Sequence, residues 1–126
     1  MSLSKIQQRF ERFQRSRQAF DPGAKSWYRM AQQNRSAEIY IYDGIGLFGV
    51  EAESFITDLN AIDADEITLR INSPGGNVFD GTAIYNALLR HSAKVSVKID
   101  GLAASMASII ALAGDEVEMA ENAFFM

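Results

Sequence analysis

The sequence predicts an α/β fold with largely parallel strands, and three observations carry that prediction. Short segments in which every second residue is apolar recur along the chain. Segments with apolar residues at helical spacing separate them. The strand-to-helix junctions are built from small residues, Ser73-Pro74-Gly75-Gly76 at one and Gly101-Leu102-Ala103-Ala104-Ser105 at the next. Alternation of strand and helix implies right-handed parallel crossovers, and in such folds the functional loops gather at the carboxyl ends of the strands. Both small-residue motifs occupy such ends.

Taken in order, residues 1 to 22 form a distinct opening segment. Ile6, Phe10, Phe13 and Phe20 fall at helical spacing before Asp21-Pro22-Gly23, which predicts a basic amphipathic helix that either docks on a neighbouring subunit or is a frayed leader whose basic charges are merely solvated. Ala37 to Asp43 alternates as a strand, Gly44, Gly46 and Gly49 make a loop, and a helix runs from about Glu51 to Ile62. Glu66 to Ile71 is the second strand, residues 77 to 90 a helix, and Lys94 to Ile99 the third strand. Ser105 to Ala113 reads as a largely apolar helix and Glu116 to Met119 as a short strand. Ala123 to Met126 reads as a strand just beginning, so the chain is expected to be a fragment, or the ordered part, of a longer one.

With 126 residues, 48% of them hydrophobic and 22% charged, the chain has material for one core and one domain, placed at residues 23 to 126. No apolar run approaches the roughly 18 residues that cross a bilayer, and the start lacks a signal-peptide core, so a cytoplasmic protein without membrane contact is expected. The absence of cysteine rules out disulfides, thiolate catalysis and cysteine-bound zinc. The net charge of −4 is uneven: Lys5, Arg9, Arg12, Arg15 and Arg17 against Glu11 make the first twenty residues +4 and leave −8 for the rest. An acidic body repels phosphates, which argues against a nucleic-acid partner. The acids Asp63, Asp65 and Glu66, and Asp115, Glu116 and Glu118, lack a histidine beside them and read as solvated charges, so neither a metal nor another cofactor is implied.

The chemistry points to Ser105. A serine hydroxyl attacks a carbonyl at neutral pH only when a base takes its proton and fixed donors hold the oxyanion that forms. Small residues at 101, 103 and 104 permit a tight strand-to-helix turn that would project the hydroxyl from a helix start, with the N–H of Met106 as a natural donor. Gly75 and Gly76 let the backbone approach a substrate closely and aim a peptide N–H outward, which makes Gly76 the second donor. Each motif also has an ordinary reading: Ser-Pro-Gly-Gly as a plain β-to-α turn, and Ser105 as a helix N-cap.

Together, Asn72-Ser73-Pro74-Gly75-Gly76-Asn77-Val78 with Gly81, Ile84 and Tyr85, and then Ala103-Ala104-Ser105-Met106, resemble the Clp protease proteolytic subunit family. The resemblance is close over Glu66 to Met126 and looser before it. Trp27-Tyr28 and the glycine-rich loop look like the phage or prophage branch, whose members act as head-maturation proteases. The fold this implies is that of the Clp peptidases and the crotonases, repeated β-β-α units with largely parallel strands. The resemblance further implies a serine endopeptidase with Ser105 as nucleophile, Gly76 and Met106 as the oxyanion hole, and Asn77 and Val78 as the segment that pairs with substrate backbone. It implies a homo-oligomeric ring, with the helices at 51–62 and 77–90 as candidate contacts. An ATP-dependent unfoldase, or a phage capsid or scaffold protein, would be its partner. No phosphate-binding glycine motif is present, so ATP dependence would come from that partner. Leu102 and Ala107 stand where the family commonly carries glutamine and glycine.

A base is the missing part. His91, the single histidine, ends the helix that starts beside Gly76, and some fourteen residues at ~1.5 Å each carry it roughly 20 Å away. It reads as a helix-end imidazole. In the resembling family the catalytic histidine follows a strand matching Asn122 to Met126, which puts it just past Met126 and the aspartate further on. Without them the chain is expected to be inactive. Lys94 and Lys98 are the candidates for a serine-lysine peptidase, but neither follows the serine. Asp100 reads either as a group orienting a base or as a loop carboxylate bonded to its own backbone. Two other readings stand beside the peptidase: an acyl-CoA enzyme of the crotonase type, which Ser105 argues against, and a catalytically silent assembly or scaffold subunit.

Overall fold

The computed structural model describes Lys5 and residues 27–46 and 51–126. The expectation for residues 1 to 22, and Gly49 of the loop, lie outside the described residues. β1 (Tyr28–Gln33) and β2 (Ser36–Tyr42) are followed by α1 (Glu51–Asn60), β3 (Glu66–Ser73), α2 (Val78–Arg90), β4 (Lys94–Ala103), α3 (Met106–Ala111), β5 (Glu116–Met119) and β6 (Phe124–Phe125). These strands make one sheet in the order β1-β2-β3-β4-β5, with β6 paired to the far end of β4. Every pairing from β2 onward is parallel.

The hairpin of β1 with β2 is antiparallel, a departure from the strict alternation read from the sequence. β1 escapes periodicity because its second half is polar and exposed. The available signal is Asn34, which with Arg35 forms the two-residue connection and takes φ +56°, a conformation that asparagine tolerates in hairpin turns.

The alternation in β2, β3 and β4 does what the sequence asks of it. Ile39, Ile41, Ile67, Leu69, Ile71, Val95, Val97 and Ile99 are buried against Phe55 and Leu59 of α1, Ile84 and Leu88 of α2, and Ala107 and Ile110 of α3. Each such side chain contributes roughly 1.5–3 kcal/mol by leaving water. α2 and α3 cross closely at Gly81, where a Cβ would lie 2.2 Å from Cγ of Met106.

The other face of the sheet carries half-buried polar groups. Arg70 lies between Asp100 at 2.8 Å and Glu38 at 3.4 Å. Tyr42 donates its hydroxyl to Asp100 and Tyr40 to Glu38. Burial, and then the bond to Asp100, push the Tyr42 phenol well above its usual range. Asp100 is thus a strand residue engaged by Arg70 and Tyr42, which corrects its reading as a loop carboxylate bonded to its own backbone.

β4 is longer than predicted because of a bulge. The two-residue step from Ile71 to Ser73 is matched by a four-residue step in β4, from Ile99 to Ala103. Oδ1 of Asn72 accepts from the Leu102 N–H at 3.1 Å inside the bulge, and a Cβ at Gly101 would come within 2.7 Å of that oxygen. Bulges of this kind re-aim the residues beyond them. Here the bulge delivers Ala104 to β3, its N–H donated to the Ser73 carbonyl at 3.1 Å.

Candidate active site

The Ser-Pro-Gly-Gly turn is held from three sides. Ser73 is 1% exposed, and its hydroxyl donates to the Asp43 carbonyl at 2.6 Å while accepting the Gly75 N–H at 3.1 Å. Ile45 forms a parallel bridge with Gly76: its N–H donates to the Gly75 carbonyl at 2.8 Å, and its carbonyl accepts the Asn77 N–H at 3.1 Å. Since the peptides are trans, the N–H of Gly76 points opposite to the Gly75 carbonyl, away from Ile45. No acceptor among the described residues takes it.

The turn rests directly on the Ser105 segment. Gly75 has φ +97°, and a Cβ there would lie 2.7 Å from the Ala104 carbonyl oxygen, 2.9 Å from Cβ of Ser105 and 3.0 Å from the Met106 nitrogen. Glycine is required on both counts. The two motifs, about thirty residues apart in sequence, are therefore in van der Waals contact.

Ser105 has φ +53° and ψ −124°, far from the conformations a serine ordinarily adopts. It stands at the N-cap position of α3, yet its side chain makes no capping bond and the residue is exposed. The Ser105 carbonyl instead accepts both the hydroxyl and the N–H of Ser108, at 2.6 and 3.0 Å, which holds the main chain of the turn while the first N–H groups of α3 receive no side-chain cap. The ordinary N-cap reading of Ser105 is thereby set aside. A strained residue at the top of a strand-to-helix turn, hydroxyl outward, is the mechanical arrangement of a nucleophile elbow. The Met106 N–H also has no acceptor among the described residues. α3 has only six residues, shorter than the predicted Ser105 to Ala113, so these two peptide N–H groups matter more than a helix dipole.

Asn77 is committed to the fold by several bonds. Its side-chain oxygen caps α2 by accepting the Asp80 N–H at 2.9 Å, its own N–H goes to Ile45, and its carbonyl accepts from Gly81 at 2.9 Å. The backbone edge left open after the turn is that of Gly76, followed by the exposed side chains of Val78 and Phe79. β6 passes beside Ser105, with the Met126 N–H donated to Ala103 at 2.9 Å and the Met126 carbonyl accepting the Ser105 N–H at 2.7 Å.

His91 is elsewhere and occupied. Its Nδ1 accepts the Ala93 N–H at 3.0 Å and its Nε2 donates to the Ile62 carbonyl at 3.1 Å. Lys94 pairs with Glu116 at 3.1 Å and Lys98 with Glu118 at 3.4 Å. Among the described residues no group of three or more histidines and carboxylates is arranged to hold a metal. Ser73 is the residue that the sequence reading left without a role. Its place as the first residue of the glycine turn, where a serine side chain can bond the backbone two positions on, was the available signal.

A largely parallel α/β sheet with helices crossing between its strands is the fold found in both the Clp peptidases and the crotonases. The Clp protease family model matches residues 23–126, and the chain belongs to that family. It is 35% identical over 94 residues to the ATP-dependent Clp protease proteolytic subunit of Deinococcus radiodurans, covering 65% of this chain and 46% of that one. Among solved structures it is similar to ClpP1 from Listeria monocytogenes, with a TM-score of 0.55 and 32% identity over 61% of this chain and 46% of that one. An enoyl-CoA hydratase from Shewanella pealeana shares the fold alone, with a TM-score of 0.63 at 11% identity over 84% of this chain and 51% of that one. The chain spans about half the length, or less, of the relatives it matches.

Proposed function

We propose that this chain carries the nucleophile and oxyanion hole of a serine endopeptidase. The observation that carries the reading is exposed Ser105, on a strained turn and with no side-chain capping bond, beside two peptide N–H groups that have no acceptor among the described residues. In the proposed reaction Oγ of Ser105 attacks the scissile carbonyl as a base takes its proton. The N–H groups of Gly76 and Met106 hold the resulting oxyanion. Collapse expels the amine, which receives that proton, and water then hydrolyses the acyl-enzyme. The base is proposed to be a histidine that follows Met126, with an aspartate beyond it. The bond between Met126 and Ser105 supports this, because the strand leading there already runs past the nucleophile.

The polypeptide substrate lies extended along the Gly76 to Val78 edge, with backbone bonds at Gly76 and side-chain contact at Asn77 and Val78. A ring of identical subunits in the cytoplasm is part of the same proposal, fed by an unfoldase or acting on capsid or scaffold protein. Its phage assignment rests on Trp27-Tyr28 and the glycine-rich loop. Fluorophosphonate treatment of the full-length protein, followed by peptide mapping, tests the reading. An adduct on Ser105 that disappears in Ser105→Ala is expected. Ring assembly with no adduct at Ser105 would favour a silent assembly subunit instead.

A further inference from the structure

We infer that Ser73 is a positioning residue for the oxyanion hole, acting with the main chain of Ile45 to hold the Gly75–Gly76 peptide in its outward-facing orientation. The inference rests on the peptidase reading of Ser105 and deepens it. A peptide flanked by two glycines rotates with little steric resistance, so its direction has to be imposed by bonds. Rotation by half a turn would bury the Gly76 N–H against Ile45 and present a carbonyl oxygen to the developing oxyanion, replacing attraction by repulsion.

Two contacts oppose that rotation. The Ile45 N–H grips the Gly75 carbonyl, which is the other end of the same peptide. The Ser73 hydroxyl grips the preceding peptide through the Gly75 N–H and is itself anchored on the Asp43 carbonyl. Asp43 is held in turn: its N–H donates to the Asn72 carbonyl at 3.2 Å, and its carboxylate accepts the Gly44 N–H at 3.0 Å. The hydroxyl thus ties the segment that follows β2, which includes Asp43 and Ile45, to the turn that Ile45 holds. An alanine at 73 would fill the buried site and leave the Gly75 N–H and the Asp43 carbonyl without their shared partner. Ser73 touches no reacting atom; it acts through Gly76.

The test compares Ser73→Thr, Ser73→Cys and Ser73→Ala in the full-length protein. Peptide turnover, affinity for a peptidyl boronate and thermal melting are measured for each. The boronate reports oxyanion binding because its tetrahedral adduct resembles the transition state. Turnover is expected to fall in the order Thr, Cys, Ala as hydrogen-bonding capacity weakens. The Ala variant should lose roughly tenfold to a hundredfold in kcat, with KM within about twofold. Boronate affinity should fall by the same factor as kcat/KM. Should Ser73→Ala fail to fold, the Cys variant carries the comparison through its smaller loss at unchanged KM. A folded Ala or Cys variant with unaltered kcat, or one whose KM rises while boronate affinity stays in step with substrate affinity, would overturn the inference. Full turnover by Ser105→Ala would instead overturn the peptidase reading, and this inference with it.

Discussion

The two ends of the parallel sheet treat their polar groups in opposite ways. At the amino ends of β3 and β4, Arg35 reaches Asp63 at 3.0 Å and Asp65 at 2.8 Å, the Asp65 carbonyl accepts the Lys94 N–H, and both nitrogens of His91 are bonded. At the carboxyl ends, Ser105 is strained, Gly75 has positive φ, and the Ser105 hydroxyl and the N–H groups of Gly76 and Met106 have no partner among the described residues. One end obeys the rule that backbone and side-chain polar groups find partners; the other breaks it in several places within one contact distance. Local violations that the surrounding structure sustains are where a protein keeps groups ready for something outside itself. His91 sits at the satisfied end, with both ring nitrogens bonded to the backbone.

The sharpest way to break this contrast is at Ser105, the proposed nucleophile. Ser105→Ala should abolish peptide turnover by about 10⁴-fold or more in the full-length protein, with the fold intact by circular dichroism. Ser105→Gly, equally inactive, should be about 1 kcal/mol more stable than Ser105→Ala in denaturant titration, because glycine accepts the backbone conformation held there at a cost. Next is Gly76→Ala. A Cβ there would sit 2.0 Å from the Ile45 carbonyl oxygen, so the bridge must open. Turnover should drop about 10²- to 10³-fold, the effect of losing one oxyanion donor, and urea unfolding should show a loss of about 2–4 kcal/mol.

At the satisfied end the effects should be confined to stability. His91→Ala leaves the Ala93 N–H and the Ile62 carbonyl unpaired, and is expected to cost about 1–2 kcal/mol while the rate of fluorophosphonate labelling at Ser105 stays unchanged. A labelling rate that fell with His91 would dissolve the contrast. The smallest effect belongs to Arg35→Ala. The guanidinium lowers the Asp65 carboxyl below its ordinary value by hydrogen bonding and then by charge. A depressed folded-state value stabilises above the ordinary carboxylate range and is lost as pH falls through the lowered value. The variant should therefore differ slightly from wild type at neutral pH and converge with it in acid, as followed by thermal melting across pH; both groups are exposed and screened.

Much of this was legible in the residues. Alternation in β2, β3 and β4 located the core strands because a half-buried strand must alternate, and Gly75 and Gly76 marked a close approach because only glycine fits one. β1 was not legible, since a polar, exposed strand has no hydrophobic period to detect. The bulge in β4 was read as the start of the turn, because nothing in Asp100-Gly101-Leu102 says that Asn72 of the neighbouring strand will fill it. The same limit hid half of what Ser73 does: its bond to Gly75 is local, but the Asp43 carbonyl that anchors it lies on another strand end that meets the turn only in the folded chain.

By itself, then, the sequence determined the class of fold and the two motifs, with Ser105 in the second, because periodicity and glycine chemistry are local properties that any fold must honour. The tertiary structure decided what those motifs do to each other. The contact of Gly75 with Ser105, the direction of the Gly76 peptide, the strained backbone of Ser105 and the passage of Met126 beside it all depend on strand register. Register is set by the packing of the whole core, which no segment of the chain contains.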